Sequence, residues 1–285
     1  MIYNSRTSQI EQVIPRQEPV VYGQGNRYDI LSEEELRFFA ENGYLIKPGL
    51  LSNEVEALVK DIPNLTSRLS GCPEIVLEPE SNEVRSIFSP DLFSDLYKQL
   101  SEHEQLKKAS EQILDSDVYI HHSRVNIKAG LSGKSFPWHS DFETWHTEDG
   151  IPAMRIVTGW VFLNENNEFN GPLLVIPQSH KHFINCVGET PQDNYQTSLR
   201  KQVVGVPSKA ILSEMVTRYG LKAIYGPPGT VVFHECNLLH GSSDNMTPYP
   251  RANVFFVYNS TENQPQKWAA TRPEFLARQY CGKSR

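Results

Sequence analysis

The chain has 285 residues and a formal net charge of −7, long enough for a substantial core and too acidic for a nucleic-acid binder or a basic membrane-surface protein. No apolar run approaches the roughly 18–20 residues that a spanning helix needs, and the opening MIYNSRTSQI lacks the charged and apolar regions of a secretory signal. The four cysteines, Cys72, Cys186, Cys236 and Cys281, show no CxxC spacing, which suits a reducing cytoplasm and argues against a structural zinc knot.

Residues 1–30 are polar, carry Pro15 and Pro19, and read as an irregular arm laid over the domain through Val20, Val21 and Tyr22. Ser32-x-x-Glu35 is a capping box that opens a helix, and Gly43 is its stop. A short strand follows at 44–46. A second helix is expected from a Ser52 cap to about Asp61, ended by Pro63. Ile75–Leu77 and Val84–Phe88 are candidate strands, and 92–114 carries apolar residues at helical spacing with a break near His103. From Asp117 the period changes to two. Strands are expected at Val118–Lys128, 154–163, 173–177, 230–236 and 252–258, separated by Asn170-Gly171-Pro172 and Gly226-Pro227-Pro228-Gly229. An insertion at 190–220 separates core strands and is helical around 208–219. Helices first and strands after imply one α+β domain over 1–285, a double-sheet barrel flanked by N-terminal helices.

The stretch 136–150, FPWHSDFETWHTEDG, concentrates the chemistry. In an extended segment residues i and i+2 point the same way, so His139 and Asp141 can converge on one metal. His240, at the end of the apolar run TVVFHECNLLH, is the best third ligand. Two histidines and one carboxylate form the facial set that leaves positions open on Fe(II). Accidental HxD pairs are common in a chain with nine histidines; Arg251, opening the next strand, raises the odds. Its guanidinium can grip a carboxylate in a bidentate fork, as the distal end of 2-oxoglutarate requires. On strand Val118–Lys128 period two puts His122, Arg124, Asn126 and Lys128 on one face, together with Val118 and Ile120, and Val125 and Ile127 on the other. That polar face reads either as solvated or as the lining of a barrel cavity that meets anionic ligands. Trp138 and Trp145 are core or an apolar wall for a cationic substrate. His146 is structural or supports the site from behind, His234 is a buried strand residue, and His121, His180 and His182 are surface or core.

The runs WHSDFETWHTEDG, HHSRVNIK, NGPLLVIPQSHK, CVGETPQDNY and HGSSDNMTPYPRANVFFVYN resemble the phytanoyl-CoA dioxygenase superfamily, and within it bacterial ectoine 5-hydroxylases. The resemblance runs from about RQEPVVYG to RPEFLA, nearly the whole chain. It implies a double-stranded β-helix (jelly-roll, cupin-like) fold, with Fe(II), 2-oxoglutarate and O2, and release of succinate and CO2. Carried over residue by residue, it implies iron ligands at His139, Asp141 and His240. The implied 2-oxoglutarate contacts are Asn126, Lys128, Ser242 and Arg251, with Phe136 nearby, and the implied ectoine pocket is Arg124, Thr144, Trp145, Asn253 and Phe255. His122 stands where these enzymes resemble one another in a substrate-contacting glutamine, and the segment 156–163 carries a bulky Trp160 in place of small residues. The expected reaction is therefore hydroxylation of a small zwitterionic solute, ectoine first, with free L-proline or another small amino acid as the alternative. The rivals from other classes are a zinc hydrolase, which leaves Lys128 and Arg251 without a task, and a metal-free binding module. The expected partner is the small substrate, with neither nucleic acid nor membrane, and a homodimer is compatible with the chain.

Overall fold

From Val118 onward the alternation of apolar and polar residues builds strands, and the computed structural model, which describes residues 3–7, 10–78, 80–266, 272–280 and 282, folds them into facing antiparallel sheets. The strands are β1 (Gln12–Pro15), β2 (Tyr44–Lys47), β3 (Ile75–Leu77), β4 (Val84–Phe88), β5 (Val118–Lys128), β6 (Phe136–His139) and β7 (Ile156–Phe162). They continue as β8 (Leu173–Val175), β9 (His182–Asn185), β10 (Lys222–Ile224), β11 (Val231–Glu235), β12 (His240–Ser242) and β13 (Arg251–Ser260). The helices are α1 (Glu33–Asn42), α2 (Val55–Arg68), α3 (Pro90–Phe93), α4 (Asp95–Ser101), α5 (Glu104–Leu114), α6 (Asp141–Asp149), α7 (Tyr195–Ser198) and α8 (Lys209–Tyr219).

The larger sheet has the order β2-β11-β7-β13-β5-β4-β3 and the smaller β10-β8-β12-β6. Chain order crosses between them: β5 and β7 lie in the larger sheet, β6 and β8 in the smaller, and β11, β12 and β13 alternate again. This is the jelly roll, a sheet pair that closes on itself. One apolar cluster, including Phe39, Leu65, Val125 and Phe256, joins the N-terminal helices to the outer face of the larger sheet. A second, including Phe142, Trp145, Trp160, Val175 and Phe255, fills the space between the sheets.

Local signals operate where expected. Both arms of the Ser32–Glu35 capping box form, and Gly43 closes α1 in the left-handed conformation with its N–H donating to Phe39 O. His103 interrupts the helical stretch and caps α5, its Nδ1 accepting from Gln105 N. The insertion at 190–220 lies between β9 and β10 and carries α7 and α8, the latter capped by Ser208.

Three expectations need correction. The second helix neither starts at Ser52 nor stops at Pro63: α2 runs Val55–Arg68 with Pro63 inside it. Ser52 spends its hydroxyl on Gly49 O (2.7 Å), and burial of Val55, Leu58 and Leu65 carries the helix past the hydrogen bond that proline removes. The arm is not irregular throughout: β1 pairs with β9, and Tyr3, Ser5 and Arg6 are buried ahead of it. Val20 and Val21 do pack against the outer core. Third, β5 does not keep one alternation. Its register with β13 runs Val257↔His122 and then Tyr258↔Ile120, so His121 is an extra, bulged residue. The bulge reverses the parity, and Val118 and Ile120 pack in the outer cluster beside Val125 and Ile127, not beside His122. Of the cysteines, Cys72, Cys186 and Cys236 are free thiols; Cys281 lies outside the described residues.

Candidate active site

The two histidines of the candidate metal set are cross-strand neighbours, since His139 on β6 pairs with His240 on β12. Their ring centroids are 4.2 Å apart. Asp141 does not follow His139 along an extended strand, as the sequence pattern suggested; it is the first residue of α6. Ser140 is the hinge. Its backbone is extended and its side chain accepts from Glu143 N (3.4 Å) as the helix N-cap, while its hydroxyl donates to Asn237 Oδ1 (2.9 Å). Gly150, left-handed, stops the helix. Ser140-x-x-Glu143 and Gly150 were readable helix signals that the His-x-Asp pairing overshadowed. The junction turns Asp141 back toward the histidines: its Oδ1 lies 3.4 Å from His139 Nε2 and 3.8 Å from His240 Nε2. The ligand atoms all lie within 4.8 Å of one another.

The donor set fits a divalent metal. His139 Nδ1 bonds Pro137 O (2.9 Å) and His240 Nδ1 bonds Leu238 O (2.9 Å). A carbonyl only accepts, so each Nδ1 carries the proton and each Nε2 lone pair is free to coordinate. Burial, together with His139, lowers His240 to about 3, which keeps it neutral and ligand-competent. Burial raises the Asp141 carboxyl, yet the group is held well below the usual carboxylate range; with Nε2 of His139 and of His240 left as lone pairs, the N–H of His234 on Oδ2 is the contact that favours the charged form.

The polar face of β5 does line a cavity. His122, Arg124, Asn126 and Lys128 border the same pocket as the three candidate ligands. Pairing with β13 places Arg251 opposite Lys128, Asn253 opposite Asn126, Phe255 opposite Arg124 and Val257 opposite His122. Arg251 donates to Gly171 O (2.6 Å) and to Asn126 Oδ1 (3.0 Å). Lys128 Nζ donates to Ser242 Oγ (2.9 Å) and to Ser243 O. Burial, with Arg251 and Arg85 nearby, lowers Lys128 to about 6, and burial and Arg85 lower Arg251 to about 10. Two basic groups with no carboxylate of the described residues in hydrogen-bond contact can serve as an anion seat beside the candidate metal set. Phe136 packs against His139 (4.9 Å between centroids) at the edge of this seat.

Further along, Arg124 stacks over Phe255 (4.7 Å) and Phe88 (5.4 Å). Burial and Arg85 lower it to about 10. Trp145 meets His122 edge-on (6.0 Å), and Trp160 stacks on Phe255 (4.8 Å, 30°). Burial, then Arg124, keeps His122 neutral, well below its ordinary range. Thr144 borders the cavity and its Oγ1 accepts from Gln202 (3.3 Å). Asn253 is the one nominated residue that shares the face without forming cavity wall; it is fully buried between Asn126 and Phe162.

Several wall residues escaped the sequence reading. Arg85, paired with Glu78 (2.6 Å), borders the seat. Arg272 borders the other end and grips Asp149 of α6 through Nε (2.5 Å) and Nη2 (2.6 Å). Asp149 also bonds His121 (3.0 Å), the bulged residue of β5. At the opposite side of α6, Arg6 of the arm pairs with Glu143 (2.6 Å) and Glu148 (2.5 Å). Thus α6 is pinned by arginines from near both chain ends, partners that no local pattern announces. His146 is structural, its Nδ1 bonded to Ile151 O (2.6 Å). His234 is buried as expected, and it contacts Asp141.

Comparison with known proteins points the same way. A family described as Phytanoyl-CoA dioxygenase (PhyH) matches residues 39–253. The ectoine dioxygenase of Bordetella bronchiseptica is 46% identical over 281 residues, spanning 96% of this chain and 91% of that protein. The crystal structure of EctD from S. alaskensis with 2-oxoglutarate and 5-hydroxyectoine aligns with a TM-score of 0.88 at 39% identity, covering 98% of this chain and 94% of that one. The same protein with bound Fe aligns at 0.87 and 39% identity, over 97% of this chain and 94% of that one.

Proposed function

This chain belongs to the phytanoyl-CoA dioxygenase family and is an iron- and 2-oxoglutarate-dependent dioxygenase; we propose that it hydroxylates ectoine to 5-hydroxyectoine. The observation that carries the reading is the meeting, in one cavity, of a His139–Asp141–His240 set with a seat made by Lys128 and Arg251. A zinc hydrolase or a metal-free binding module has no use for that seat.

In this reading His139, Asp141 and His240 hold Fe(II) from one side. When bound, the metal with 2-oxoglutarate and O2 supplies the oxidation, coupling decarboxylation of the keto acid to oxygen insertion at a C–H bond. The protein's own part is binding, orientation and exclusion of water. Arg251 and Lys128 neutralise the carboxylate of the cosubstrate; Asn126 holds the guanidinium in place, Ser242 orients Lys128, and Phe136 shields the seat. Arg124, which has no carboxylate partner among the described residues, takes the substrate's carboxylate. Trp145 and Phe255 face the cationic ring of the zwitterion, where aromatic faces favour positive charge. Thr144 and the neutral His122 supply hydrogen bonds. Asn253 acts from beneath the wall, beside Asn126. We read 1–285 as one catalytic domain because the cavity draws on segments from β4 to the tail, and we place it in the cytoplasm, where the free thiols at Cys72, Cys186 and Cys236 would persist. No helix among the described residues is long and apolar enough to cross a membrane.

The test is a substrate panel scored by succinate and product mass. With Fe(II), 2-oxoglutarate and ectoine, succinate should form in step with a product heavier by one oxygen atom. Coupled turnover of L-proline with none of ectoine would move the enzyme to the amino-acid hydroxylases.

A further inference from the structure

A buried chain of hydrogen bonds reaches Asp141 from behind the cavity. Trp160 of β7 and His234 of β11 are diagonal neighbours on one sheet face, since Trp160 pairs with Val232 and Thr158 with His234. Trp160 Nε1 lies 2.7 Å from His234 Nδ1, and His234 Nε2 lies 3.0 Å from Asp141 Oδ2. An indole nitrogen can only donate. His234 Nδ1 must therefore accept, the ring's single proton sits on Nε2, and that N–H points at Oδ2. The other oxygen, Oδ1, is the one that faces His139 Nε2 and His240 Nε2.

Resting on the metal reading above, we propose that Trp160 and His234 are positioning residues that assign the two oxygens of Asp141, Oδ2 to the protein and Oδ1 to the metal. The consequence is a carboxylate that binds through one oxygen. A carboxylate left free to turn and bind through both would occupy a position that the keto acid or O2 needs. Hydrogen bonds of this kind orient metal ligands and typically change affinity by about 10–100-fold when lost. Trp160 has a second contact, its stack on Phe255, so the indole joins the substrate wall to the metal set.

The experiment uses Co(II), a redox-silent metal, titrated into the metal-free full-length protein, with affinity and the visible Co(II) spectrum as readouts. Compared with the parent, His234→Leu should weaken binding about 10–100-fold and alter the spectrum. His234→Gln places an amide N–H at a similar reach and should recover both, which a merely space-filling role does not predict. Trp160→Phe keeps a ring on Phe255 but removes the donor, and should fall between the two. Parent-like affinity and spectrum for His234→Leu, with binding lost in Asp141→Ala, overturn the relay alone. Parent-like binding in Asp141→Ala overturns the metal set itself, and the relay with it. If His234→Leu does not fold, Trp160→Phe decides: unchanged affinity and spectrum there overturn the proposal.

Discussion

At the metal end of the cavity the protein occupies the atoms that face it: Pro137 O and Leu238 O take the two Nδ1 protons, and His234 takes Asp141 Oδ2. At the proposed substrate end both nitrogens of His122, Nε of Arg124 and the hydroxyl of Thr158 are buried without a hydrogen-bond partner among the described residues. Leaving such a group unsatisfied costs about 1–3 kcal/mol, a deficit that a polar ligand can offset by supplying the missing donors and acceptors. The difference separates two kinds of site. One end is preorganised by protein hydrogen bonds, and the other keeps buried polar atoms that a bound ligand would complete. The helix α6 belongs to both, contributing Asp141 to the first and Thr144 and Trp145 to the second.

Removing a ligand should break the contrast outright. His139→Ala is expected to lose iron and Fe(II)-dependent succinate release by more than the roughly 100-fold upper range of an outer hydrogen bond; metal analysis and turnover, side by side with the parent, check it. Arg6→Met attacks the element shared by both ends. It leaves Glu143 and Glu148 buried without their cation, which should cost about 3–5 kcal/mol, read as a lower midpoint in chemical denaturation. A variant as stable as the parent would show that the arm is dispensable.

Smaller changes should separate the ends. Arg251→Met removes a charge-assisted contact of about 1.5–3 kcal/mol, so the KM for 2-oxoglutarate should rise about 10–150-fold while Co(II) affinity stays within a few-fold. Loss of metal binding in that variant would merge the two ends into one. Lys128 gives a pH signature. Its folded value of about 6 lies below its ordinary range, so before binding it is largely neutral above pH 6. A carboxylate favours the charged form, so binding 2-oxoglutarate should take up a proton, and affinity should fall with rising pH, by at most about tenfold per unit. Calorimetry near pH 7.5 in two buffers of different ionisation enthalpy measures the uptake; Lys128→Arg should abolish it. The smallest effect is expected for His122→Gln. An amide donates and accepts as the neutral imidazole does, so kcat/KM for ectoine should change less than about tenfold, the equivalent of roughly 1.4 kcal/mol. A larger gain would identify His122 as a residue that restrains ectoine turnover.

Where a property depends on residues close in sequence, the sequence alone determined it. The Ser32–Glu35 box and Gly43 bound α1, period two from His122 to Lys128 put four polar residues on one face, and His139, Asp141, His240 and Arg251 stood out as candidates by type and spacing; that the polar face lines a cavity was decided by the closed sheets. Tertiary structure decided the rest. A single extra residue at His121 sent Val118 and Ile120 to the outer core, and period-two counting cannot detect a bulge because it depends on the partner strand's register. The arginines that pin α6, Arg6 and Arg272, are separated from it by long stretches of chain. Which oxygen of Asp141 faces His139 and His240 was settled by His234 and Trp160, on two other strands. A short motif can nominate candidate ligands. Ligand orientation comes from hydrogen bonds between distant segments, and those exist only once the sheets have closed.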